Sequence, residues 1–320
     1  MTHFALASAM AMAMLLAAGR PSAADYQVAT RSSLVYAKHG GTALLGDLYL
    51  PKGRTKAPVM VAFHGGAWRA GSRGFYRYWG RFLARNGYAL FTVDYRLGLA
   101  GRYPAAVYDG KAAIQFVRAK AAEFDIDPDR IGLMGDSAGG QLAALLALAA
   151  DRFTADYRDD ANAATPASVR AVVGFYGIYD MLAQATHDAR GEERREALAQ
   201  ANRDFIVRPH DSITEEFLGV SPERNRSVYV EASPISYATG ESGAKDVRFL
   251  LIHGSRDTLV DPASQTGAFQ AALAAAGFSA QQIIVPGAAH FWASDPFENE
   301  RSSYGAKVAP EILRFLDGAL

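Results

Sequence analysis

Short, continuous apolar runs alternate with longer segments of helical periodicity through most of this sequence. The clearest apolar runs are residues 58–63 (PVMVAF) and 88–93 (YALFTV). A strand that is buried on both faces of a parallel sheet has this pattern, because helices cover both sides of the sheet. The alternation therefore predicts an α/β domain with a mostly parallel central sheet and helices on both of its faces.

Further apolar runs and helical segments extend the same alternation along the chain. The runs predict strands at residues 44–50, 131–134, 170–175, 247–252 and 282–285. Helical periodicity predicts helices at residues 75–86, 105–124, 141–150, 262–276 and 309–316. No segment rich in Pro, Gly or Ser separates these elements, so we expect residues 25–320 to form a single domain.

Residues 177–246 interrupt the alternation. They contain no strongly apolar strand, and their charged stretch 188–196 is followed by two short apolar groups at 205–207 and 217–218. This composition predicts two or three polar helices. A long segment inserted between two core strands usually has a function of its own and is seldom a mere linker. We therefore expect a helical, cap-like insertion after the strand that ends near Phe175.

The first two dozen residues have the pattern of an export signal. Residues 4–18 are an unbroken run of Ala, Leu, Met, Phe and Ser, which is too short to span a bilayer comfortably. The small residues Ser22 and Ala24 fit a signal-peptidase cut after Ala24, although His3 and the amino terminus are the only positive candidates before the run. We predict that residues 1–24 are removed and that the mature protein is periplasmic or secreted, with no membrane span.

Charge and cysteine content exclude several classes of function. The 33 basic residues balance the 33 acidic residues, so no global field favours nucleic acid or an acidic membrane. The chain has no cysteine, which excludes a cysteine nucleophile, a thiolate metal site and a disulfide framework. His187 and His210 lie far from any second ligand at metal spacing, and no phosphate-binding or dinucleotide-binding glycine motif occurs. We therefore expect neither a metal nor a cofactor.

The sequence Gly135-Asp136-Ser137-Ala138-Gly139 lies between an apolar run and an Ala/Leu-rich helical segment. A serine on a sharp turn from strand to helix, flanked by glycines, is held with its hydroxyl exposed and with backbone amides around it. This context predicts a nucleophile at Ser137. The simpler alternative is a serine that caps a Gly-rich helix.

A serine nucleophile needs a base, and the base needs an acid that orients it. His290 follows the last predicted strand, and Asp257 lies in the loop after the preceding strand. Both loops reach the carboxyl edge of the sheet, where catalytic groups of open α/β sheets gather. The chain order Ser137, Asp257, His290 is the order expected for this motif. Asp261 is the alternative acid, but it is better placed to cap the helix that follows it.

The segment His64-Gly65-Gly66-Ala67-Trp68 directly follows the strand 58–63. Backbone N–H donors that stabilise a tetrahedral oxyanion must approach it closely, and glycines after a strand allow this. We expect the oxyanion hole to consist of the amides of Gly66, Ala67 and Ala138. Trp68 either forms the floor of a substrate pocket or packs in the core, and Trp292 is a second candidate for substrate contact.

Three polar residues near these loops are expected to support them. His64 is predicted to hold the glycine loop by a hydrogen bond, and His253 to be a buried structural residue. Asp136 is predicted to support the nucleophile beside it without touching substrate.

The segments HGGAW, VDYRL, GDSAGG, HGSRDTLV and PGAAHF occur in this order. Together they resemble the α/β-hydrolase superfamily, and within it the feruloyl/acetyl esterase-like and hormone-sensitive-lipase-like carboxylesterases, with kynurenine formamidase a close relative. The resemblance covers residues 44–320 and implies the same catalytic residues and oxyanion hole. The lipase-like branch usually has HGGG where this chain has Ala67, which favours the esterase and formamidase side.

These observations predict a serine hydrolase that cleaves a carboxylic ester through an acyl-enzyme intermediate. The family resemblance implies that the ester is a short-acyl or aromatic one. An amidase of the arylformamidase type uses the same groups and is the first alternative. A catalytically silent binding protein with the hydrolase fold is the alternative from another class.

Overall fold

The centre of the structure is an eight-stranded sheet with the strand order β1-β2-β4-β3-β5-β6-β7-β8. The computed structural model describes residues 25–39, 41–154, 161–189, 212–240, 244–297, 300 and 302–320. The strands are β1 Val28–His39, β2 Thr42–Pro51, β3 Ala57–Phe63, β4 Ala89–Val93, β5 Ile126–Asp136, β6 Ala171–Phe175, β7 Arg248–Gly254 and β8 Ser279–Val285. β2 runs antiparallel to both β1 and β4, and the other pairs are parallel.

Helices lie on both faces of this sheet. They are α1 Arg77–Arg85, α2 Ala105–Ala119, α3 Ala121–Phe124, α4 Ala138–Ala149, α5 Met181–Ala189, α6 Ile213–Leu218, α7 Arg226–Glu231, α8 Ala268–Ala275 and α9 Tyr304–Ala319. Because side chains alternate along a strand, β3 supplies both cores. Val59 and Val61 belong to the core that contains α2 and α4, whereas Met60 and Ala62 belong to the core that contains α1 and α9.

The predicted α/β fold is confirmed, with three differences from the sequence-based expectation. β1 was not predicted, because half of this outer strand is exposed and its sequence does not alternate clearly. The predicted helix at 105–124 is two helices, α2 and α3, that meet at Lys120. The predicted helix at 262–276 begins with the π-helical turn Ala263–Gly267 before α8.

The part of the insertion within the described residues is helical, as the sequence predicts. α5, α6 and α7 lie in it, while residues 190–211 fall outside the described ranges. The predicted signal segment, residues 1–24, also falls outside them. Within the described residues, no helix has both the length and the apolar character needed to cross a membrane.

The parallel strands end at a common edge, and the predicted site residues follow those ends. The glycine loop follows β3, Ser137 follows β5, Asp257 follows β7 and His290 follows β8. This edge is where an open α/β sheet places its ligand crevice.

Candidate active site

Ser137 occupies a strained turn between β5 and α4. Its backbone has φ 53° and ψ −118°, a conformation that non-glycine residues rarely adopt. Its N–H donates to the carbonyl oxygen of Phe175 at the end of β6, at 2.9 Å. The turn therefore has the geometry of a nucleophile elbow, in which strain presents a serine hydroxyl at the end of the sheet.

Gly135 and Gly139 make this turn possible. A Cβ on Gly139 would overlap the carbonyl oxygen of Phe63, and a Cβ on Gly135 would overlap the carbonyl oxygen of Gly139. The two glycines therefore let α4 begin in direct contact with the ends of β3 and β5. Any side chain at either position would displace the turn.

Asp257 and His290 form a buried hydrogen-bonded pair. Nδ1 of His290 lies 2.6 Å from Oδ2 of Asp257, and Oδ1 accepts the N–H groups of Leu259 and Val260 at 2.9 and 3.0 Å. Burial alone would raise the pKa of Asp257, but the charge of His290 and the hydrogen bonds of His253 and His290 hold it well below its ordinary value. An ionised Asp257 fixes the imidazole tautomer and leaves Nε2 free to accept a proton.

Two neighbours considered at the sequence level have structural contacts, and one of them also reaches the acid, since Nε2 of His253 lies 3.2 Å from Oδ2 of Asp257. Oδ2 of Asp261 accepts the N–H and the hydroxyl of Ser264, both at 2.7 Å, in the turn that leads into α8. His253 is fully buried, with Nδ1 2.7 Å from the Thr266 hydroxyl and Nε2 3.0 Å from the Val260 carbonyl oxygen. These contacts agree with a capping aspartate and a structural histidine.

Tyr176 connects the turn at Ser137 with His290. It directly follows Phe175, whose carbonyl binds the Ser137 N–H, and its ring centroid lies 4.4 Å from that of His290. The Tyr176 hydroxyl also accepts the N–H of Ala293 at 2.9 Å. Among the described residues the Ser137 hydroxyl makes no hydrogen bond to His290, a contact that tightens only in the substrate complex of many enzymes.

The glycine loop after β3 has an unusual backbone. Gly66, Ala67 and Trp68 have φ angles of 118°, 52° and 56°. Such conformations cost about 1–3 kcal/mol for each non-glycine residue and persist only where the surroundings impose them. Within the described ranges, the N–H groups of Gly66, Ala67 and Ala138 donate no hydrogen bond. The Ala138 amide is also the first of helix α4, where N–H groups lack intrahelical partners.

His64 and Asp136 hold this loop from inside the protein. Nδ1 of His64 donates to the Gly65 carbonyl at 2.7 Å, and Oδ1 of Asp136 accepts the Gly65 N–H at 2.9 Å. The His64 ring stacks on Tyr95 at 4.4 Å. Burial lowers the pKa of His64 to about 4 and raises the pKa of Asp136 to about 6. An imidazole with so low a pKa is a weak base, which agrees with the predicted structural role of His64.

Both tryptophans considered for substrate contact are buried among protein groups. The Trp68 ring stacks on Phe217 of α6 at 4.2 Å, and its Nε1–H donates to Gln141. The Trp292 ring lies 5.6 Å from the rings of Phe175 and Tyr176. These contacts favour the packing alternative for Trp68, and substrate contact by Trp292 stays a prediction.

The sequence did not reveal Tyr176, Gln141 or Phe217, because their relation to the site depends on packing between distant segments. A tyrosine directly after a core strand was the one usable signal for Tyr176. Within the described residues, no group of three or more His, Cys, Asp or Glu side chains is arranged to hold a metal ion.

Comparisons with known proteins identify the family of this chain. The BD-FAE family model matches residues 46–273. The esterase LipC of Mycobacterium tuberculosis is 34% identical over 237 residues, which cover 73% of this chain and 53% of LipC. The isoprenylcysteine alpha-carbonyl methylesterase ICME of Arabidopsis thaliana is 30% identical over 262 residues, 81% of this chain and 56% of ICME. The chain thus spans little more than half the length of these relatives.

Solved structures share the fold. A truncated carbohydrate esterase from gut microbiota matches with a TM-score of 0.69 and 24% identity, over 93% of this chain and 98% of that one. The butyrate-bound esterase Est2 of Thermogutta terrifontis matches with a TM-score of 0.69 and 23% identity, over 93% and 95% of the two chains.

Proposed function

Because the chain belongs to the BD-FAE family and has an α/β-hydrolase fold, we propose that it is a serine carboxylesterase. Ser137 is the nucleophile, His290 the general base and Asp257 the orienting acid. The observation that carries the proposal is the Asp257–His290 pair, 2.6 Å apart, at the sheet edge where Ser137 occupies a strained elbow. A serine that merely caps a helix would need neither the strain nor the paired histidine.

The reaction proceeds in two halves. Nε2 of His290 takes the proton of the Ser137 hydroxyl as Oγ attacks the ester carbonyl carbon. The bond from carbon to the alcohol oxygen then breaks, and the leaving oxygen takes the proton from His290. Water next loses a proton to His290 and attacks the acyl-enzyme. The Ser137 oxygen leaves with that proton, and the carboxylic acid is released.

Charge that develops in each half is met by groups already in place. The amides of Gly66, Ala67 and Ala138 have no other partner within the described ranges, and they are proposed to bind the oxyanion. Such preorganised donors are worth about 3–4 kcal/mol each in known serine hydrolases. The ionised Asp257 stabilises the imidazolium that forms on His290.

A short-acyl or aromatic ester is the proposed substrate class. The butyrate-bound structural neighbour supports a short acyl group, and the esterase relatives support an ester over an amide bond. We further propose that residues 1–24 are cleaved and that the protein is exported, on the strength of their apolar run and small-residue cleavage site. Mass spectrometry of the protein recovered from the periplasm or medium tests this. A chain that still carries residues 1–24 contradicts it.

Hydrolysis assays test the proposed activity. We expect the purified protein to cleave p-nitrophenyl acetate and butyrate, and Ser137→Ala to lower kcat/KM by at least about 10⁴-fold. Formanilide and methyl ferulate in the same series separate amidase activity and aromatic-ester preference. Preferential hydrolysis of formanilide would favour the arylformamidase alternative. Absence of hydrolysis of every substrate would favour a silent binding protein.

A further inference from the structure

The insertion packs directly against the glycine loop. Phe217 of α6 stacks on the ring of Trp68, with centroids 4.2 Å apart and an interplanar angle of 8°. Both side chains are almost completely buried, at 3% and 2% exposure. Because Trp68 directly follows Ala67, this stack acts one residue away from a proposed oxyanion donor.

A second contact reaches the same tryptophan from the nucleophile helix. Gln141 lies one turn into α4, and its backbone N–H donates to the Ser137 carbonyl at 3.1 Å. Its side-chain Oε1 accepts the Trp68 Nε1–H at 3.1 Å, and its Nε2 donates to the carbonyl of Ala232, just beyond α7, at 2.9 Å. This fully buried amide therefore joins the glycine loop, the elbow helix and the insertion.

Flanking contacts fix α6 beside the loop. The Arg69 guanidinium donates to the Glu216 carboxylate at 2.7 Å, and the Phe217 carbonyl accepts the N–H of Tyr103 at 2.9 Å. Two adjacent residues of the glycine-loop segment thus contact two adjacent residues of α6. Trp68 stacks on Phe217, and Arg69 forms an ion pair with Glu216. The insertion is attached here by an aromatic stack, an ion pair and backbone hydrogen bonding.

The backbone of the loop needs such support. Ala67 and Trp68 both have positive φ angles, 52° and 56°, which a free loop of these residues would abandon. The Ala67 N–H belongs to the Gly66–Ala67 peptide, so relaxation of the positive φ angles at Ala67 and Trp68 would change the orientation of this peptide relative to the Ser137 turn. Holding the Trp68 ring therefore holds the donor geometry.

We infer that the insertion is part of the oxyanion machinery, with Phe217 and Gln141 as positioning residues that clamp Trp68 and thereby orient the amides of Gly66 and Ala67. The inference rests on the proposed function. It gives the insertion a role in the chemical step, separate from any role as a cover over substrate. Loss of the clamp should then weaken binding of the transition state while leaving binding of the ester unchanged.

Phe217→Ala in the full chain tests this role. With p-nitrophenyl butyrate we expect kcat to fall about 10- to 100-fold with KM within about twofold, since complete loss of one oxyanion donor costs about 10²–10³. The inhibition constant of a short alkyl trifluoromethyl ketone, which forms a tetrahedral adduct, should rise by a similar factor. Phe217→Tyr keeps the stack and should retain activity.

Phe278→Ala is the matched control. Phe278 is buried to a similar extent, at 5% exposure. It lies just before the amino end of β8, whereas the candidate site lies at the carboxyl ends of the strands. This variant should lose stability as Phe217→Ala does and keep wild-type kcat. Gln141→Met keeps the side-chain volume while removing both hydrogen bonds of the amide. Phe217→Leu keeps a large apolar side chain while removing the flat stack. These two variants decide the question if Phe217→Ala does not fold.

The outcomes separate two failures. A wild-type protein without esterase activity would refute the proposed function. An active wild type whose Phe217→Ala, Phe217→Leu and Gln141→Met variants keep both kcat and inhibitor affinity would refute the clamp alone. A raised KM with unchanged kcat would also overturn it, because Phe217 would then act on substrate binding.

Discussion

Replacing Asp136 with Asn is expected to stabilise the folded protein at neutral and alkaline pH. The Asp136 side chain lies beside Ser137 with 4% exposure, and Oδ1 accepts the Gly65 N–H at 2.9 Å. Burial raises its pKa from the ordinary 3.8 to about 6, against the opposing effects of the Tyr76 hydroxyl and the Gly65 N–H. The folded protein therefore bears the cost of an interior charge whenever Asp136 is ionised.

The sign and size of the effect follow from proton linkage. Between pH 3.8 and about 6 the folded chain keeps a proton on Asp136 that the unfolded chain has released. The contribution of Asp136 to the free energy of unfolding therefore falls as pH rises through this window, and it stays low above it. A shift of about two pKa units corresponds to about 3 kcal/mol. Asn resembles the protonated acid and keeps a carbonyl acceptor for Gly65, so it avoids this cost.

Urea denaturation at pH 8 and at pH 4 measures the difference between Asp136→Asn and wild type. The variant should exceed wild type by up to about 3 kcal/mol at pH 8, with the difference almost gone at pH 4. The exposed Asp246→Asn serves as the control and should differ from wild type by less than about 0.5 kcal/mol at pH 8. A variant less stable than wild type at pH 8, or a difference independent of pH, would show that ionised Asp136 does not destabilise the folded protein.

Three further perturbations probe the base, the elbow and the glycine loop. His290→Ala should lower kcat for p-nitrophenyl butyrate by about 10⁴-fold without changing the melting temperature by more than a few degrees. Gly139→Ala should reduce the urea midpoint strongly, because its Cβ would overlap the Phe63 carbonyl, whereas Gly240→Ala meets nothing within 4 Å and should not. Burial lowers the pKa of His64 to about 4. Between pH 6.5 and 4 the unfolded chain therefore binds a proton at His64 that the folded chain does not. The free energy of unfolding should fall by about 3 kcal/mol over this range, and His64→Gln should flatten this part of its pH dependence, as urea denaturation can measure.

The elements that the sequence predicted well are those whose burial is uniform. β3 is buried at every position, so its continuous apolar run locates it within one residue. β1 is different, because only three of its twelve residues are buried. Its place is set by antiparallel pairing with β2, in a register that closes at His39 and Thr42. The Gly-Gly pair between the two strands is a hairpin signal, but the half-exposed sequence before it has no continuous apolar run.

The residues of the candidate site likewise fall into a predicted group and a group that the sequence did not reveal. Residues carried by strand ends, such as Asp257 and His290, were predicted, because a parallel sheet brings successive strand ends to one edge. The clamp on Trp68 was not predicted, because its partner Phe217 belongs to a short helix whose position depends on tertiary packing. For Trp68 itself the sequence left pocket floor and core open, and only the stack and the Gln141 hydrogen bond separate them.

Covalent labelling determines whether Ser137 is the activated nucleophile. A fluorophosphonate probe should add once to the wild-type protein, on the tryptic peptide that spans residues 131–152, as mass spectrometry can map. Ser255→Ala, which removes another serine after a strand end, should label as wild type does. Ser137→Ala should not label, and His290→Ala should label far more slowly. Equal labelling of Ser137→Ala, or an adduct on a different serine, would show that Ser137 is not the activated nucleophile.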